Sequence, residues 1–271
     1  MSTRVIAEPL LRVNSARRQF GGLVAVDVED ISVAPRSITS LIGPNGAGKS
    51  TLFNLISGFD RGGTGSWTFD GKEISGQAPQ RLASHGMIRT FQAARPIVTL
   101  SLLENLLISA QDQPGEHWLS AMFARGAWMR RDAENADRAR ELLTRLNLIP
   151  LADMPAGDLS GGQKKLLDLG RALMCRPRLI MLDEPMAGVN PRLAEDLIGH
   201  IKWMRDDGAT VLFVEHNMDV VAEISDHVVC MAQGKVLTSG TPDEVMRAPE
   251  VMEAYLGSDE DNALLEGNTH E

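Results

Sequence analysis

The segment Gly43–Ser50, GPNGAGKS, has the residue types and the spacing needed to bind phosphate. It follows the short β-rich run 38–43 and opens the helical run 49–57. Its glycines allow the backbone to curl until the N–H groups point at phosphate oxygens. We expect Lys49 to reach the β- and γ-phosphates of a nucleotide and Ser50 to hold Mg²⁺. The expected nucleotide contacts of this segment are Gly43, Pro44, Asn45, Gly46, Ala47, Gly48, Lys49, Ser50 and Thr51.

A second candidate for chemistry is the acidic pair Asp183-Glu184 that follows the apolar run LIML. The run predicts a buried strand, and ligands bind at the carboxyl ends of strands in open α/β sheets. We expect Asp183 to hold the metal ion and Glu184 to polarise an attacking water as general base. An ordinary pair of acids at a strand end is the alternative, and the phosphate loop favours the catalytic interpretation.

The stretch LSGGQKK at 159–165 carries an adjacent glycine pair, Gly161-Gly162, before an apolar run with helical spacing. Such a pair predicts a turn. It also leaves bare N–H groups at a helix N-terminus, which attract anions. Because the chain has a complete phosphate loop at 43–50, we expect this second anion site to face outward, toward a nucleotide held by another subunit.

The surrounding pattern predicts an α/β protein. Strands are expected within 10–33 around the turn at 19–22, in a hairpin at 66–74, at 179–183 and 210–214, and on both sides of the turn Gln233-Gly234. A helix is expected between the strands at 179–183 and 210–214, and a short one around 242–256. From about 95 to 157 the pattern becomes helical, which indicates an inserted subdomain.

Composition sets limits on function. The 271 residues are 43% hydrophobic and 23% charged, with a net charge of −9, which argues against general nucleic-acid binding. No apolar run is long enough to span a membrane, and the first residues do not read as a signal peptide, so we expect a cytoplasmic chain. We expect Cys175 and Cys230 to be reduced and buried. The acidic segment 257–271 is expected to be a disordered tail.

Four further segments complete an ordered set with the phosphate loop: Gln92 in RTFQ, LSGGQ at 159–163, AGVN at 187–190 and His216 in FVEHN. This set closely resembles the nucleotide-binding subunit of ABC transporters, from about residue 12 to 256. The resemblance implies an α/β fold, a P-loop NTPase cassette with a RecA-like core, an antiparallel β subdomain and an inserted helical subdomain. It also implies one ATPase domain over 10–256, with the helical subdomain at about 95–170.

The resemblance also assigns roles to single residues. Phe20 is similar to the aromatic residue that stacks on adenine. Gln92 resembles the glutamine that contacts Mg²⁺ and the attacking water, and His216 the histidine that contacts the γ-phosphate. Asn190 stands where many members have Asp, although its amide can still form hydrogen bonds. The residues expected to close over the γ-phosphate of an ATP held by an opposing chain are Ser160, Gly161, Gly162 and Gln163.

The context of RTFQ, the segment EHNMDVV and the terminal EAYLG are similar to the branched-chain amino acid uptake systems. In those systems two different ATPase subunits serve two membrane subunits and a substrate-binding protein, and this chain resembles the longer ATPase. The resemblance implies a second ATPase subunit as partner, either another copy or a distinct chain, and a place on the cytoplasmic face of the inner membrane. The apolar segment 96–103 is a candidate contact for the membrane subunits.

Several alternatives stay open. Urea and short-amide importers have similar ATPases, and lipopolysaccharide-extraction exporters end in a similar YLG segment. A non-transport ABC protein is disfavoured because the chain has one cassette and no heptad array. A catalytically silent cassette is disfavoured because Glu184 and His216 are both present.

Overall fold

The computed structural model describes residues 8–90, 96–110 and 125–255, of which 125–129 are described by backbone alone. Gln92 and the acidic segment 257–271 lie outside the described residues. Across the described ranges, no helix combines the length and apolarity needed to cross a bilayer.

Within the described ranges, ten strands form two sheets. The strands are β1 (Leu11–Phe20), β2 (Leu23–Val33), β3 (Ile38–Ile42), β4 (Thr64–Phe69), β5 (Lys72–Glu73), β6 (Met87–Thr90), β7 (Leu179–Asp183), β8 (Thr210–Val214), β9 (His227–Ala232) and β10 (Lys235–Gly240). One sheet is antiparallel with the order β2-β1-β4-β5, and the other has the order β10-β9-β3-β8-β7-β6. In the larger sheet β6, β7, β8, β3 and β9 are parallel, whereas β10 pairs with β9 in the antiparallel sense.

The described ranges contain nine α-helices. They are α1 (Lys49–Ile56), α2 (Pro79–Ser84), α3 (Leu102–Ile108), α4 (Arg125–Arg145), α5 (Gly161–Met174), α6 (Pro191–Asp206), α7 (Met218–Ile224), α8 (Pro242–Met246) and α9 (249–255). Short 3₁₀ helices occupy Ile149–Leu151 and Ala156–Asp158. The expected helical insertion corresponds to α3, α4 and α5, which lie between β6 and β7 in the chain.

The parallel sheet separates two apolar cores, and its strands alternate between them. In β8, Val211 and Phe213 pack into the core under the helices of the insertion and α6, whereas Leu212 and Val214 pack into the core shared with the antiparallel sheet and α1. This alternation follows from the two-residue period of a strand. Burial on both faces explains why the predicted strands read as continuous apolar runs.

The expected turns are confirmed. Asp70 and Gly71 join β4 to β5, and Gln233 and Gly234 join β9 to β10. All four residues have positive φ, as the two-residue hairpin turn requires.

Two local expectations were wrong. The single helix expected around 242–256 is two helices, because α8 ends at Met246 and α9 begins at Pro249. Proline lacks an N–H and disfavours the helical conformation at the residue before it, so the helix is interrupted at Ala248. Both cysteines are free, but only Cys230 is buried. Cys175 caps the end of α5 and is partly exposed, with its thiol donating to the carbonyl of Ser109 at 3.2 Å.

Candidate functional site

The phosphate loop connects the end of β3, a central strand, to the first turn of α1. At two positions of the loop, glycine is required both because φ is positive and because neighbouring backbone leaves no space for a side chain. Gly43 has φ +145 and a side chain there would overlap the carbonyl oxygen of Met231; Gly48 has φ +96 and faces the carbonyl oxygen of Ala25 in the same way. The loop is therefore fixed against β9 and β2, while the first N–H groups of α1 have no acceptor within the helix.

Lys49 begins α1 and is only 5% exposed. Its ammonium group donates to the carbonyls of Gly43 at 2.6 Å and Pro44 at 2.8 Å. Burial lowers the pKa of Lys49, and the nearby carboxylate of Glu184 opposes that shift. The Lys49 ammonium group is thus held under the loop by two carbonyl oxygens, and the negative charge of Glu184 is close enough to stabilise its positive charge.

A cleft of about 610 Å³ opens over the loop. Among the described residues it is lined by Phe20, Leu23, Val24, Ala25, Asn45, Gly46, Ala47, Gly48, Lys49, Ser50, Thr51, Glu184, His216, Gln233 and Gly234. The structure thus brings most of the residues expected to contact nucleotide to one place. Leu23 to Ala25 and the turn at 233–234 were not expected there, because nothing local in the sequence places β2 or the β9–β10 turn beside the loop.

Phe20 ends β1 at the rim of this cleft and is 48% exposed. The guanidinium of Arg18 lies 4.2 Å from the ring centroid, and it is held by an ion pair with Asp60 at 2.7 Å. An exposed ring at the edge of this cleft is available for stacking on a planar group.

Glu184 and His216 leave two neighbouring parallel strands, β7 and β8, and their side chains meet. His216 Nε2 and Glu184 Oε1 are 2.9 Å apart, and each side chain is 41% exposed. Glu184 has φ +47, a left-handed conformation that costs a non-glycine residue free energy and occurs preferentially at functional sites. Its N–H donates to the carbonyl of Val214 at 3.1 Å, which stabilises this conformation.

Asp183, one residue earlier, lies in a different environment. Its carboxylate forms a buried ion pair with Arg89 of β6, with Oδ2 and Nη2 2.6 Å apart and the two side chains only 5% and 4% exposed. Arg89 also donates through Nη1 to Asn54 Oδ1 at 2.7 Å and Ser57 Oγ at 2.8 Å. Nothing local in the sequence indicates Arg89, because the contact joins residues 94 positions apart.

Glu215 is a second buried carboxylate that sequence analysis missed. It is 5% exposed and accepts N–H groups from Met186 at 3.0 Å, His216 at 2.8 Å and Asn217 at 3.2 Å. Its position at the end of β8, like that of Asp183 at the end of β7, was a usable signal. The carboxylate joins the turn after Glu184 to the turn that carries His216.

The residues Ser160–Gln163 lie at the start of α5 and are not among the cleft-lining residues given above. Ser160 is the N-cap, its hydroxyl accepts the Gln163 N–H, and the Gln163 side chain accepts the Ser160 N–H. This capping box fixes the first turn of the helix. Asn190 plays the equivalent role for α6, since its Oδ1 accepts the Leu193 N–H at 2.9 Å.

Oxygen ligands for Mg²⁺ are present but few. Within the described part of the chain, no group of three or more His, Cys, Asp or Glu side chains is arranged to hold a metal ion. Ser50 offers a hydroxyl in the cleft, whereas Asp183 is 7% exposed, is not among the cleft-lining residues given above, and offers a carboxylate whose Oδ2 binds Arg89. This donor set fits Mg²⁺, which proteins commonly bind through one or two side chains together with substrate phosphates.

The apolar segment 96–103 is partly exposed and partly buried. Ile97 and Val98 are exposed at 43% and 57%, whereas Leu102 is fully buried as part of α3. Only the first part of the segment is therefore accessible to another protein.

Two protein families match parts of this chain. Residues 27–187 match the ABC transporter family, and residues 235–261 match the family described as branched-chain amino acid ATP-binding cassette transporter. The first match spans the phosphate loop, the LSGGQ segment and the Asp183-Glu184 pair.

Similar proteins cover nearly the whole chain. The high-affinity branched-chain amino acid transport ATP-binding protein BraF of Pseudomonas aeruginosa is 39% identical over 253 residues, 93% of this chain and 99% of that protein. The probable branched-chain amino acid transport ATP-binding protein LivG of Methanocaldococcus jannaschii is 40% identical over 252 residues, 92% and 97% of the two chains. A solved structure of the ADP conformation of an ATP-binding cassette from an ABC transporter has a TM-score of 0.79 and 39% identity, covering 93% of this chain and 100% of that one. With this family match and these identities over more than nine-tenths of its length, the chain belongs to the ABC transporter family, as one of its ATP-hydrolysing cassettes.

Proposed function

We propose that this chain is the ATPase subunit of an importer for branched-chain amino acids, held at the cytoplasmic face of the inner membrane by two membrane subunits. The observation that carries the proposal is the identity of 39–40% with two branched-chain amino acid transport ATP-binding proteins over more than nine-tenths of this chain. The match of residues 235–261 to the corresponding C-terminal family supports the same substrate class.

In this proposal the cleft over the phosphate loop binds ATP. Phe20 stacks on the base, the loop N–H groups and Lys49 hold the phosphates, and Ser50 with Asp183 holds Mg²⁺. Mg²⁺, when bound, neutralises charge on the β- and γ-phosphate oxygens. The Lys49 ammonium, already desolvated beneath the loop, can exchange a carbonyl partner for a phosphate oxygen, and the charged partner gives the stronger hydrogen bond.

Glu184 acts as general base on the attacking water. The side chain is in the cleft, with its backbone held in the left-handed conformation and its carboxylate beside His216 Nε2. His216 orients the carboxylate and, once a γ-phosphate is present, can donate to that group instead. Gln92 is proposed to contact the ion and the water.

The LSGGQ segment completes the site of a second cassette. Ser160–Gln163 present a capped helix N-terminus at a place apart from the chain's own cleft, so the anion they attract belongs to ATP bound elsewhere. Two cassettes therefore close with ATP between the loop of one and the LSGGQ segment of the other. Hydrolysis removes the γ-phosphate and with it much of the attraction.

Ser160→Arg tests this arrangement. The variant is expected to bind a fluorescent ATP analogue as the wild type does, but to lose dimer closure and hydrolysis at the partner's site, because the larger cation occupies the place of the γ-phosphate contact. Light scattering and ATP turnover measure the two effects. Loss of ATP binding by the isolated variant would contradict the assignment of Ser160 to the partner's site.

The substrate class is tested with the assembled transporter. Co-purified membrane subunits, the ATPase and the matching binding protein are reconstituted in vesicles, and ATP turnover is measured with added substrates. We expect stimulation by leucine, isoleucine or valine. Stimulation by urea or short amides alone would overturn the substrate assignment while leaving the ATPase assignment intact.

A further inference from the structure

Two adjacent lysines on α5 contact different parts of the molecule. Lys164 Nζ donates to the carbonyl of Gly157 at 3.0 Å, just before the LSGGQ segment. Lys165 Nζ donates to the carbonyls of Pro185 at 3.1 Å and Ala187 at 2.5 Å. These two carbonyls belong to the turn that follows Glu184. The helix that begins at the LSGGQ segment therefore contacts the turn of the catalytic carboxylate directly.

The same turn is held from its other side by Glu215. The carboxylate accepts the N–H of Met186, the residue between the two carbonyls that bind Lys165. The Ala187 N–H donates to the carbonyl of Glu184 at 3.1 Å and closes the turn. The Lys165 ammonium thus binds the carbonyls of Pro185 and Ala187, and the Glu215 carboxylate binds the N–H of Met186 between them.

Lys165 is partly buried in this contact. Burial lowers the pKa of its ammonium group, and the carboxylates of Glu215 and Glu184 oppose the shift. A long flexible side chain loses much rotamer entropy when it is fixed, and hydrogen bonds in a partly desolvated setting compensate for this loss.

A second contact links the same elements. Gly162, in the first turn of α5, packs so closely against Leu193 of α6 that an added side-chain carbon would overlap Leu193 Cδ2. The chain from Glu184 to Leu193 therefore contacts the start of α5 at two points, one polar and one apolar.

We propose that Lys165 is a positioning residue that ties the Glu184 turn to the LSGGQ end of α5, so that the two keep a fixed relative placement within one chain. The inference rests on the proposed role of Ser160–Gln163 at a partner's ATP. Under that role, the Lys165 contact connects the hydrolytic carboxylate of one ATP site to the surface that closes the other site.

Backbone amide exchange tests the contact itself, with no dependence on ATP hydrolysis. We expect Lys165→Met to raise the exchange rates of the amides at 186–188 by tenfold or more, because local opening of the turn becomes easier. Lys164→Met is the matched control, since Lys164 is the neighbouring residue of the same helix but its ammonium binds the carbonyl of Gly157, and it should leave those rates unchanged. Equal exchange in the two variants would overturn the proposal.

Steady-state turnover tests the consequence for catalysis. We expect Lys165→Met to lower kcat tenfold to a hundredfold, because a small misplacement of a catalytic group has effects of this size. The KM for ATP, the Kd of a fluorescent nucleotide and the Tm should stay close to those of Lys164→Met. Lys165→Arg keeps a donor and should recover much of the rate.

The outcomes separate this inference from the proposed function. If the wild type hydrolyses ATP and Lys165→Met turns over as fast as Lys164→Met, the positioning role is wrong and the ATPase assignment stands. If Lys165→Met loses nucleotide affinity in step with kcat, or Lys165→Arg recovers nothing, the residue has only a general structural role. If the wild type closes no dimer with any cassette while the amide exchange behaves as expected, the contact stands and the proposed dimer fails.

Discussion

At the scale of single residues, the neighbouring acids Asp183 and Glu184 have different partners, because the backbone changes direction between them. Asp183 is the last residue of β7 and faces the buried guanidinium of Arg89. Glu184 turns into the left-handed conformation, which directs its carboxylate to the cleft and to His216. An accessible carboxylate beside a histidine suits proton transfer to and from a water.

The Arg89–Asp183 pair predicts a large stability effect. Arg89→Met should destabilise the protein by about 3–5 kcal/mol, because it leaves Asp183 charged and unpaired in a buried place. Urea unfolding at neutral pH without nucleotide measures this loss.

The double variant Arg89→Met with Asp183→Asn is the control, because it removes both charges and should lose less than Arg89→Met alone. A double variant that is less stable than Arg89→Met alone would contradict this explanation, because it would mean that the Asp183 carboxylate still stabilises the fold when Arg89 is absent.

At the scale of elements, α5 carries a carboxylate, Asp168, whose burial in the charged form is unfavourable. Burial raises the pKa of Asp168 to about 6, although Arg171, 3.4 Å away, lowers it. The folded-state pKa is above that of an unfolded chain, about 4. The stability that the protonated carboxyl contributes is therefore fully present below pH 4 and is lost as the pH rises through 6.

Asp168→Asn should consequently stabilise the protein at pH 7.5 by about 2 kcal/mol, because the amide imitates the protonated carboxyl without the charge. The difference from wild type should shrink steadily between pH 6 and pH 4. Urea unfolding of both proteins at pH 4, 5, 6 and 7.5 measures it. An Asn variant that is less stable at pH 7.5 would show that the Arg171 contact outweighs the cost of burial.

The phosphate loop offers a comparison between two glycines of the same element. Gly43→Ala should cost about 3 kcal/mol or more, because the new carbon overlaps the Met231 carbonyl and the backbone must move. Gly46→Ala should cost only about 1–2 kcal/mol, since φ is +77 but nothing lies within 4 Å of the added carbon. Unfolding free energies of the two variants decide this, and equal losses would mean that the loop does not depend on its packing against β9.

At the scale of the whole molecule, the cleft draws on both sheets. Phe20 and Ala25 come from the antiparallel sheet, whereas the loop, Glu184 and His216 come from strand ends of the parallel sheet. A ligand bound there contacts both, and binding to the folded state alone stabilises the whole fold.

ADP at 100 times its Kd should therefore raise the Tm by about 5 °C, from a stabilisation of about 2.7 kcal/mol. Differential scanning calorimetry measures the shift. Lys49→Met, which removes the ammonium group from the phosphate site, should show little shift at the same ADP concentration. A full shift in that variant would place the nucleotide elsewhere.

The sequence by itself determined the elements and most of the chemistry. Apolar runs, glycine-containing turns and the spacing of GPNGAGKS are local signals, because the backbone demands of a buried strand, a hairpin or a phosphate loop fall on neighbouring residues. The order of those motifs was sufficient to indicate the family.

Only the tertiary structure decided which side chains support the site. Arg89 reaches Asp183 across adjacent strands, Lys165 reaches the Glu184 turn from another helix, and Gln233 joins the cleft through sheet pairing. Which side chain pairs with Asp183, and which carbonyls Lys164 and Lys165 bind, depend on which strands and helices pack together. Packing is a property of the whole chain, so residues of ordinary local context acquire specific partners only when the fold is complete.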